Sequence, residues 1–405
     1  MPVSAALQSA ARPIAVPQTE YVSKPKRLES VDMLRGAIMI IMALDHVRDY
    51  VHYPIEPTNL QNTWPALFFT RWITHFCAPL FMFLAGTGAF LALGRGRSKR
   101  DLAWFLFSRG VFLLVMEYVV MQLAWNFSFH LLPIEFITLS ALGTAMIVLA
   151  GLIFVPRSLM IGISAAMVLF HNTFDSYHAA SWGSWYWVWA LLHEQAFING
   201  KHGLVLLTGY PIIPWIGVMA LGYAFGSVLK METSKRHRTL YLLGGGLTLA
   251  FIVLRWTNWY GDPQPWQVYP TASTTVMSFL NLQKYPPSLL YLLMTIGPGI
   301  MLLPLLEKVK NRAGQWVIVF GRVPLFFYVV HVFVVHAVAV GMAFAAHKPV
   351  PWTPLWFFGT IPANFGFPLW VVYVIWIAII VALYPVCRWY AELKKRRKDW
   401  WLGYL

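Results

Sequence analysis

RLESVDMLRGAIMIIMALDHVRDYVHY, residues 27–53, decides how the rest of the chain is read. It opens basic and polar, then runs apolar for long enough to enter a bilayer. Before it has crossed, it sets Asp45, His46, Arg48 and Asp49 on consecutive turns. An ionisable side chain in hydrocarbon costs a few kcal/mol or more, so these residues do nothing for the stability of a spanning helix. The cluster reads as half of an active site. Taken alone, it reads equally well as an ion-pair cluster at a helix end.

The remainder of the chain supplies a matching context. Of 405 residues, 58% are hydrophobic and 12% charged, about half the charged share of a soluble domain. The composition predicts an all-α polytopic membrane protein. Apolar windows of about 20 residues mark the spans. They fall near 33–53, 66–92, 101–122, 134–154, 157–173, 210–229, 238–256, 287–306, 316–345 and 368–390, which makes about ten transmembrane helices.

The net charge of +15 would fit a nucleic-acid partner only if the basic residues formed a surface, and they do not. They collect in every second loop: Lys24, Lys26 and Arg27; Arg95, Arg97, Lys99 and Arg100; Arg157; Lys230, Lys235, Arg236 and Arg238; Lys308, Lys310 and Arg312; and the run 394–398. The other loops hold few, among them Lys201, Arg255, Lys284 and Lys348. Such alternation predicts that both termini are cytoplasmic. Three parts are expected: a flexible cytoplasmic tail over 1–26, too polar for a signal peptide; a transmembrane domain over 27–390; and a basic cytoplasmic tail over 391–405.

Other features are less directive. Cys77 and Cys387 fall near opposite faces of the membrane, so no disulfide framework or zinc spacing is available. The outward loop 174–209 carries Trp182, Trp185, Trp187 and Trp189, which suit an interfacial aromatic belt better than a sugar-stacking surface. Residues 257–286 are rich in Pro, Thr, Gln and Trp and fit a substrate mouth. Pro79, Pro298 and Pro324 interrupt spans, as happens where neighbours or a cavity satisfy the freed carbonyls. No repeat of 20–50 residues is evident, which counts against an inverted-repeat transporter.

The second span changes the reading of the first. Residues 70–86, TRWITHFCAPLFMFLAG, put Arg71 and His75 four residues apart and hence on one helix face. Running antiparallel to the first span, this helix sets His75 at the depth of His46. Two histidines, an arginine and a carboxylate at one depth make a site hypothesis, with His46, Asp45, His75 and Arg71 as catalytic candidates. Asp45 or Asp49 would fix the His46 tautomer and raise its basicity. His331 and Asp49 are candidates for substrate binding.

Arg35 lies eleven residues before His46, about three turns or roughly 16 Å along the axis. Together with Arg109 and Arg322 it occupies a cytoplasmic half, where a set of arginines suits an anionic ligand, or else snorkels to lipid phosphate. Cys77 and His336 read as packing residues. His46, His75 and His331 could ligate a metal, but no HExxH or comparable spacing dictates one, and no metal is expected. His130, His171, His178, His193 and His202 are too scattered to interpret.

A family resemblance rests on these residues. SVDMLRGAIMIIMALDH (30–46) with FCAPLFMFLAG (76–86) resembles the catalytic domain of heparan-α-glucosaminide N-acetyltransferase and its bacterial relatives. YPIIPWIGVMALGYAFG (210–226), KYPPSLLYLLMTIGPG (284–299) and FGRVPLFFYVVHVFVVH (320–336) resemble the bacterial branch. The opening motif is also similar to membrane acyltransferases that decorate surface polysaccharides, in which a catalytic His follows the RG glycine by ten residues, as His46 follows Gly36. The sequence departs from the heparan enzyme in having His46 where that enzyme has Asn. That enzyme's catalytic His lies in the next loop, where only His52 stands here.

The resemblance implies an acetyl- or acyltransferase of the bacterial inner membrane. It would take the acyl group from cytosolic acetyl-CoA, near Arg35, Arg109 and Arg322, and pass it to a sugar amine or hydroxyl outside. The expected partners are a saccharide or glycan acceptor and membrane lipid, with no nucleic acid; a homo-oligomer stays open. From the residues alone, a proton-coupled transporter using Asp45, His46 and His75 as a relay is the rival reading.

Overall fold

The structure is a computed structural model that describes residues 28–93, 98–129, 134–199, 205–350, 352, 364–397 and 399–404. The expected N-terminal tail, Arg95, Arg97, His130, Lys201, His202 and Lys398 lie outside the described residues. Helices come in the order α1 (Glu29–Val51), α2 (Pro65–Thr74), α3 (Cys77–Leu93), α4 (Lys99–Val115) and α5 (Gln122–Asn126). Then follow β1 (Ile134–Phe136), α6 (Thr138–Leu152), α7 (Arg157–Phe170), α8 (Tyr186–Leu192), β2 (Ala196–Asn199) and β3 (Val205–Thr208). The chain continues through α9 (Ile212–Phe225), α10 (Thr233–Thr257), α11 (Ala272–Leu280), α12 (Leu289–Lys308), α13 (Arg312–Arg322), α14 (Pro324–Ala345) and α15 (Leu369–Arg396).

Among the described residues, seven helical runs are long and apolar enough to cross a membrane, two of them joining α2 to α3 and α4 to α5. The chain is therefore an integral membrane protein. The 23-residue α1 is long enough as well but carries Glu29, Asp32, Arg35, Asp45, Arg48 and Asp49. It can do so because it is the hub: α2, α3, α12, α13, α14 and α15 all pack on it. Where α1 meets α13 the backbones nearly touch. A Cβ on Gly36 would collide with the Val317 carbonyl, and one on Gly321 with the Asp32 carbonyl. Small residues that let helices approach closely are a common means of association in lipid, where the hydrophobic drive between helices is weak.

Proline divides two expected spans. In the run 66–92, Pro79 has no N–H to give the carbonyl of His75, four residues back, and the helix breaks between Thr74 and Cys77. That carbonyl accepts instead from the Tyr291 hydroxyl at 2.8 Å. In the expected span 316–345, Pro324 drives Val323 out of the helical region (φ −131°, ψ 48°), so α13 and α14 are separate helices. The last helix runs past the expected boundary near 390 to Arg396. The segment after it packs on α4, with Leu402 buried and the Tyr404 hydroxyl 2.8 Å from Ser108 Oγ.

A three-stranded sheet, order β1-β3-β2, is absent from the all-α expectation. Its strands of three or four residues are too short for a period of two to separate them from an apolar run. β1 runs parallel to β3 and β2 antiparallel to it, with Phe136 opposite Thr208. The Gly209 and Tyr210 amides bond the Phe136 carbonyl at 2.9 and 3.3 Å. The sheet thereby fixes Thr138, just after β1, and Tyr210, just after β3. Between α4 and α5, a single π-helical stretch over Met116–Met121 carries Glu117. The Glu117 carboxylate accepts from the Leu139 and Ser140 amides at 2.5 and 3.1 Å and so caps α6.

Candidate active site

His46 sits near the C-terminal end of α1, where two cavities meet. The inner one, about 60 Å³, is lined mainly by apolar side chains, including Ile38, Met39, Met42, Phe81, Met82 and Leu325. The outer one, about 760 Å³, is a polar vestibule that includes Arg48, Asp49, His52, Glu56, Arg71 and His75. Asp45, His46, Thr138, Tyr210 and Lys284 line both. His46 and His75, expected at one depth on neighbouring helices, thus open on one chamber.

The hydrogen bonds of His46 fix its chemistry. Its Nδ1 is 2.7 Å from Nε2 of His331, and Nδ1 of His331 is 2.8 Å from the Phe327 carbonyl oxygen. A carbonyl only accepts, so His331 Nδ1 carries the proton, and its Nε2 offers a lone pair to the N–H at His46 Nδ1. The lone pair of His46 is then at Nε2. The two rings stack with centroids 5.0 Å apart, and Trp125 meets His46 edge-on at 4.9 Å. His331 is fully buried.

This corrects the expected partner of His46. Asp45 is committed elsewhere: it accepts from Arg48 at 2.9 Å and is paired closely with Arg71. Arg48 also pairs with Asp49 at 2.5 Å. Two carboxylates and two guanidiniums neutralise one another along the vestibule wall, and neither carboxylate orients the imidazole. That task falls to His331, which was expected to bind substrate.

The remaining expected residues divide by position. Arg71 and His75 line the vestibule but not the inner cavity. The buried His75 Nδ1 has no hydrogen-bond partner among the described residues. His52 also lines the vestibule, its Nδ1 2.8 Å from the Tyr53 carbonyl, and burial pushes its pKa down. Cys77 is buried, and its thiol points to the Ile38 carbonyl at 3.3 Å. Arg35, Arg109 and Arg322 line neither cavity. Arg35 lies 3.5 Å from Asp32 and donates to the Leu84 carbonyl at 3.3 Å; Arg109 donates to the Gly403 carbonyl at 2.6 Å; Arg322 is 3.9 Å from Glu29. Among the described residues, no group of three His, Cys, Asp or Glu side chains is arranged to hold a metal ion.

Thr138, Tyr210 and Lys284 escaped the sequence reading. Thr138 and Tyr210 are placed by the sheet, which left no pattern to read. Lys284 did leave a trace: it is one of the few basic residues in a loop that the positive-inside rule puts on the opposite side.

Fold and site together define a helical integral membrane protein with a buried imidazole pair between an apolar and a polar chamber. Residues 27–254 match the model of the family described as heparan-alpha-glucosaminide N-acetyltransferase, catalytic. The match spans more than half of the chain, which belongs to that family. No curated protein matches the chain.

Proposed function

We propose that the protein is a transmembrane acetyltransferase that takes an acetyl group from acetyl-CoA on the cytosolic side and delivers it to a sugar amine or hydroxyl on the other. The observation that carries this reading is the meeting of the two cavities at His46. A donor arm arriving through apolar surroundings and a polar acceptor arriving through a vestibule would be brought together there and nowhere else along these chambers. The alternation of basic loops supports an orientation with both termini in the cytoplasm and the vestibule facing outward.

Arg35, Arg109 and Arg322 would meet the phosphates of the donor; Arg35 stands about three helical turns before His46 on α1, a span suited to a pantetheine arm. Nε2 of His46 takes the proton of the acceptor as it attacks the thioester carbon. The same lone pair serves the alternative route, in which His46 itself accepts the acyl group. Arg71, His75, Asp49 and Glu56, on the vestibule side, fit the polar groups of a saccharide.

The test is to incubate the purified protein with acetyl-labelled acetyl-CoA and a panel of sugars and amino sugars, reading free CoA and labelled sugar. Both should appear together and vanish in His46→Ala. Label held by the protein without acceptor would select the acyl-histidine route. If the protein neither binds nor consumes acetyl-CoA, the reading fails and a proton-coupled transporter takes its place.

A further inference from the structure

The reaction proposed above develops negative charge on the thioester oxygen, which a positive group where the two cavities join would stabilise, and the polar residues there are few. Of the five that line both chambers, His46 serves as base and Asp45 is anionic. Thr138 and Tyr210 are neutral donors, which leaves Lys284 as the cation. Arg71 and Arg48 are near, but their charge is offset by Asp45 and Asp49, and neither lines the inner cavity.

Lys284 differs on each count. Among the described residues, no carboxylate lies within 4.0 Å of its ammonium, which instead meets the neutral Tyr285 side chain by a hydrogen bond, with Nζ 5.1 Å from the ring centroid. Its charge acts on Asp45, His46, Asp49, His75 and the Cys77 thiol. It lies beyond the segment 27–254 that the family model matches.

The loop that carries it is held firmly. Asp262 accepts from the Gln283 amide at 2.9 Å and the Ser288 hydroxyl at 2.7 Å. Arg255, almost fully buried, donates to the carbonyls of Gln264, Ser278, Phe279 and Asn281 at 2.7–3.0 Å. His171 donates to the Pro287 carbonyl at 2.9 Å. A cation fixed in advance stabilises developing charge without reorganising at the moment of reaction.

We infer that Lys284 is a catalytic residue of the acetyl transfer, holding the oxyanion of the tetrahedral intermediate beside the hydroxyl of Tyr210. The acceptor lone pair forms a bond to the thioester carbon, and the carbonyl π pair moves onto oxygen, where Lys284 meets it. The acceptor proton passes to His46 Nε2. As the oxygen pair returns, the C–S bond breaks, and the His46 proton goes to the departing CoA thiolate. Nothing else is consumed. The inference rests on the acetyltransferase reading.

The test compares the full-length wild-type protein with Lys284→Met and Lys284→Arg in detergent, using acetyl-CoA as donor and glucosamine as acceptor, with free CoA as readout. Lys284→Met should lower kcat by about 10²- to 10³-fold with the KM for acetyl-CoA within about twofold, and Lys284→Arg should recover a substantial part. Should Lys284→Met fail to fold, Lys284→Cys is purified and alkylated with bromoethylamine, which rebuilds a cation of nearly the same length; activity should rise on alkylation. A folded Lys284→Met that keeps most of its kcat, or loses only in KM, overturns the assignment, as does alkylation without gain. A wild-type protein that releases no CoA overturns the acetyltransferase reading itself, and the assignment with it.

Discussion

Nδ1 of His46 and Nε2 of His331 are 2.7 Å apart, on helices separated by 285 positions in the chain. Because His331 is itself anchored on the Phe327 carbonyl, this contact sets the tautomers of both rings and leaves one lone pair, at His46 Nε2, for chemistry. His331→Phe keeps an aromatic ring in the buried site but offers no acceptor. Turnover of acetyl-CoA should fall by roughly 10²-fold or more, as when a catalytic imidazole loses the partner that fixes its tautomer, with KM little changed. Steady-state kinetics on the two variants, with His46→Ala losing about 10²- to 10⁴-fold, check it.

Asp45 is the anion that lets Arg71 and Arg48 stay buried. Asp45→Asn should cost about 3–5 kcal/mol, the usual penalty for leaving one member of a buried ion pair alone. Asp45→Asn with Arg71→Gln should recover part of that loss, since Arg48 keeps Asp49. Thermal unfolding of the three variants in one detergent measures the recovery; strict additivity would refute the coupling.

Tyr291 replaces the hydrogen bond that Pro79 cannot make. Tyr291→Phe leaves the His75 carbonyl unpaired in the core and should cost about 1–3 kcal/mol. Pro79→Ala restores the missing N–H and straightens the run, so the double variant should be more stable than Tyr291→Phe. Having carried His75 out of place, it should also be less active than wild type. Melting temperature should exceed that of Tyr291→Phe, while CoA release stays below that of the wild type.

His171 is buried in the turn after α7, and burial, followed by the nearby His193, pushes its pKa down to about 4 from an ordinary 6.5. The unfolded chain takes up this proton near 6.5 and the folded protein only near 4. The contribution of His171 is therefore whole above pH 6.5 and is lost as pH falls toward 4. His171→Gln, which still offers an N–H to Pro287, should flatten that part of the profile. Melting temperatures from pH 7 to pH 4.5 would reveal the difference in slope.

The orientation proposed for the chain predicts which loops face out. Cys77 and Cys387 are buried, so cysteines introduced by Val268→Cys and Lys235→Cys report cleanly. In intact cells an impermeant maleimide should label the first at once and the second only after the membrane is opened. The reverse order would invert the assignment of donor and acceptor sides.

Much of this was legible in the chain itself. Helix positions follow from apolar length, since in lipid a backbone must satisfy its own hydrogen bonds, and the ionisable groups of residues 27–53 and 70–86 stand out because hydrocarbon penalises them. The family followed from the same segments. What the chain could not display is pairing across distance. Asp45 stands next to His46 in sequence, and proximity made it the expected partner. On a helix, adjacent residues point about 100° apart, and the partner is supplied by α14 instead. Thr138, Tyr210 and Lys284 come from the first residue of α6, the turn after β3 and a loop, none with a periodicity that marks it. Sequence determined that apolar helices cross a membrane and that a polar site lies among them, though not the number of crossings, for which seven runs qualify among the described residues against the ten expected. Tertiary structure alone decided which imidazole holds His46, which charges cancel, and which remains at the junction, because those outcomes depend on packing between segments far apart along the chain.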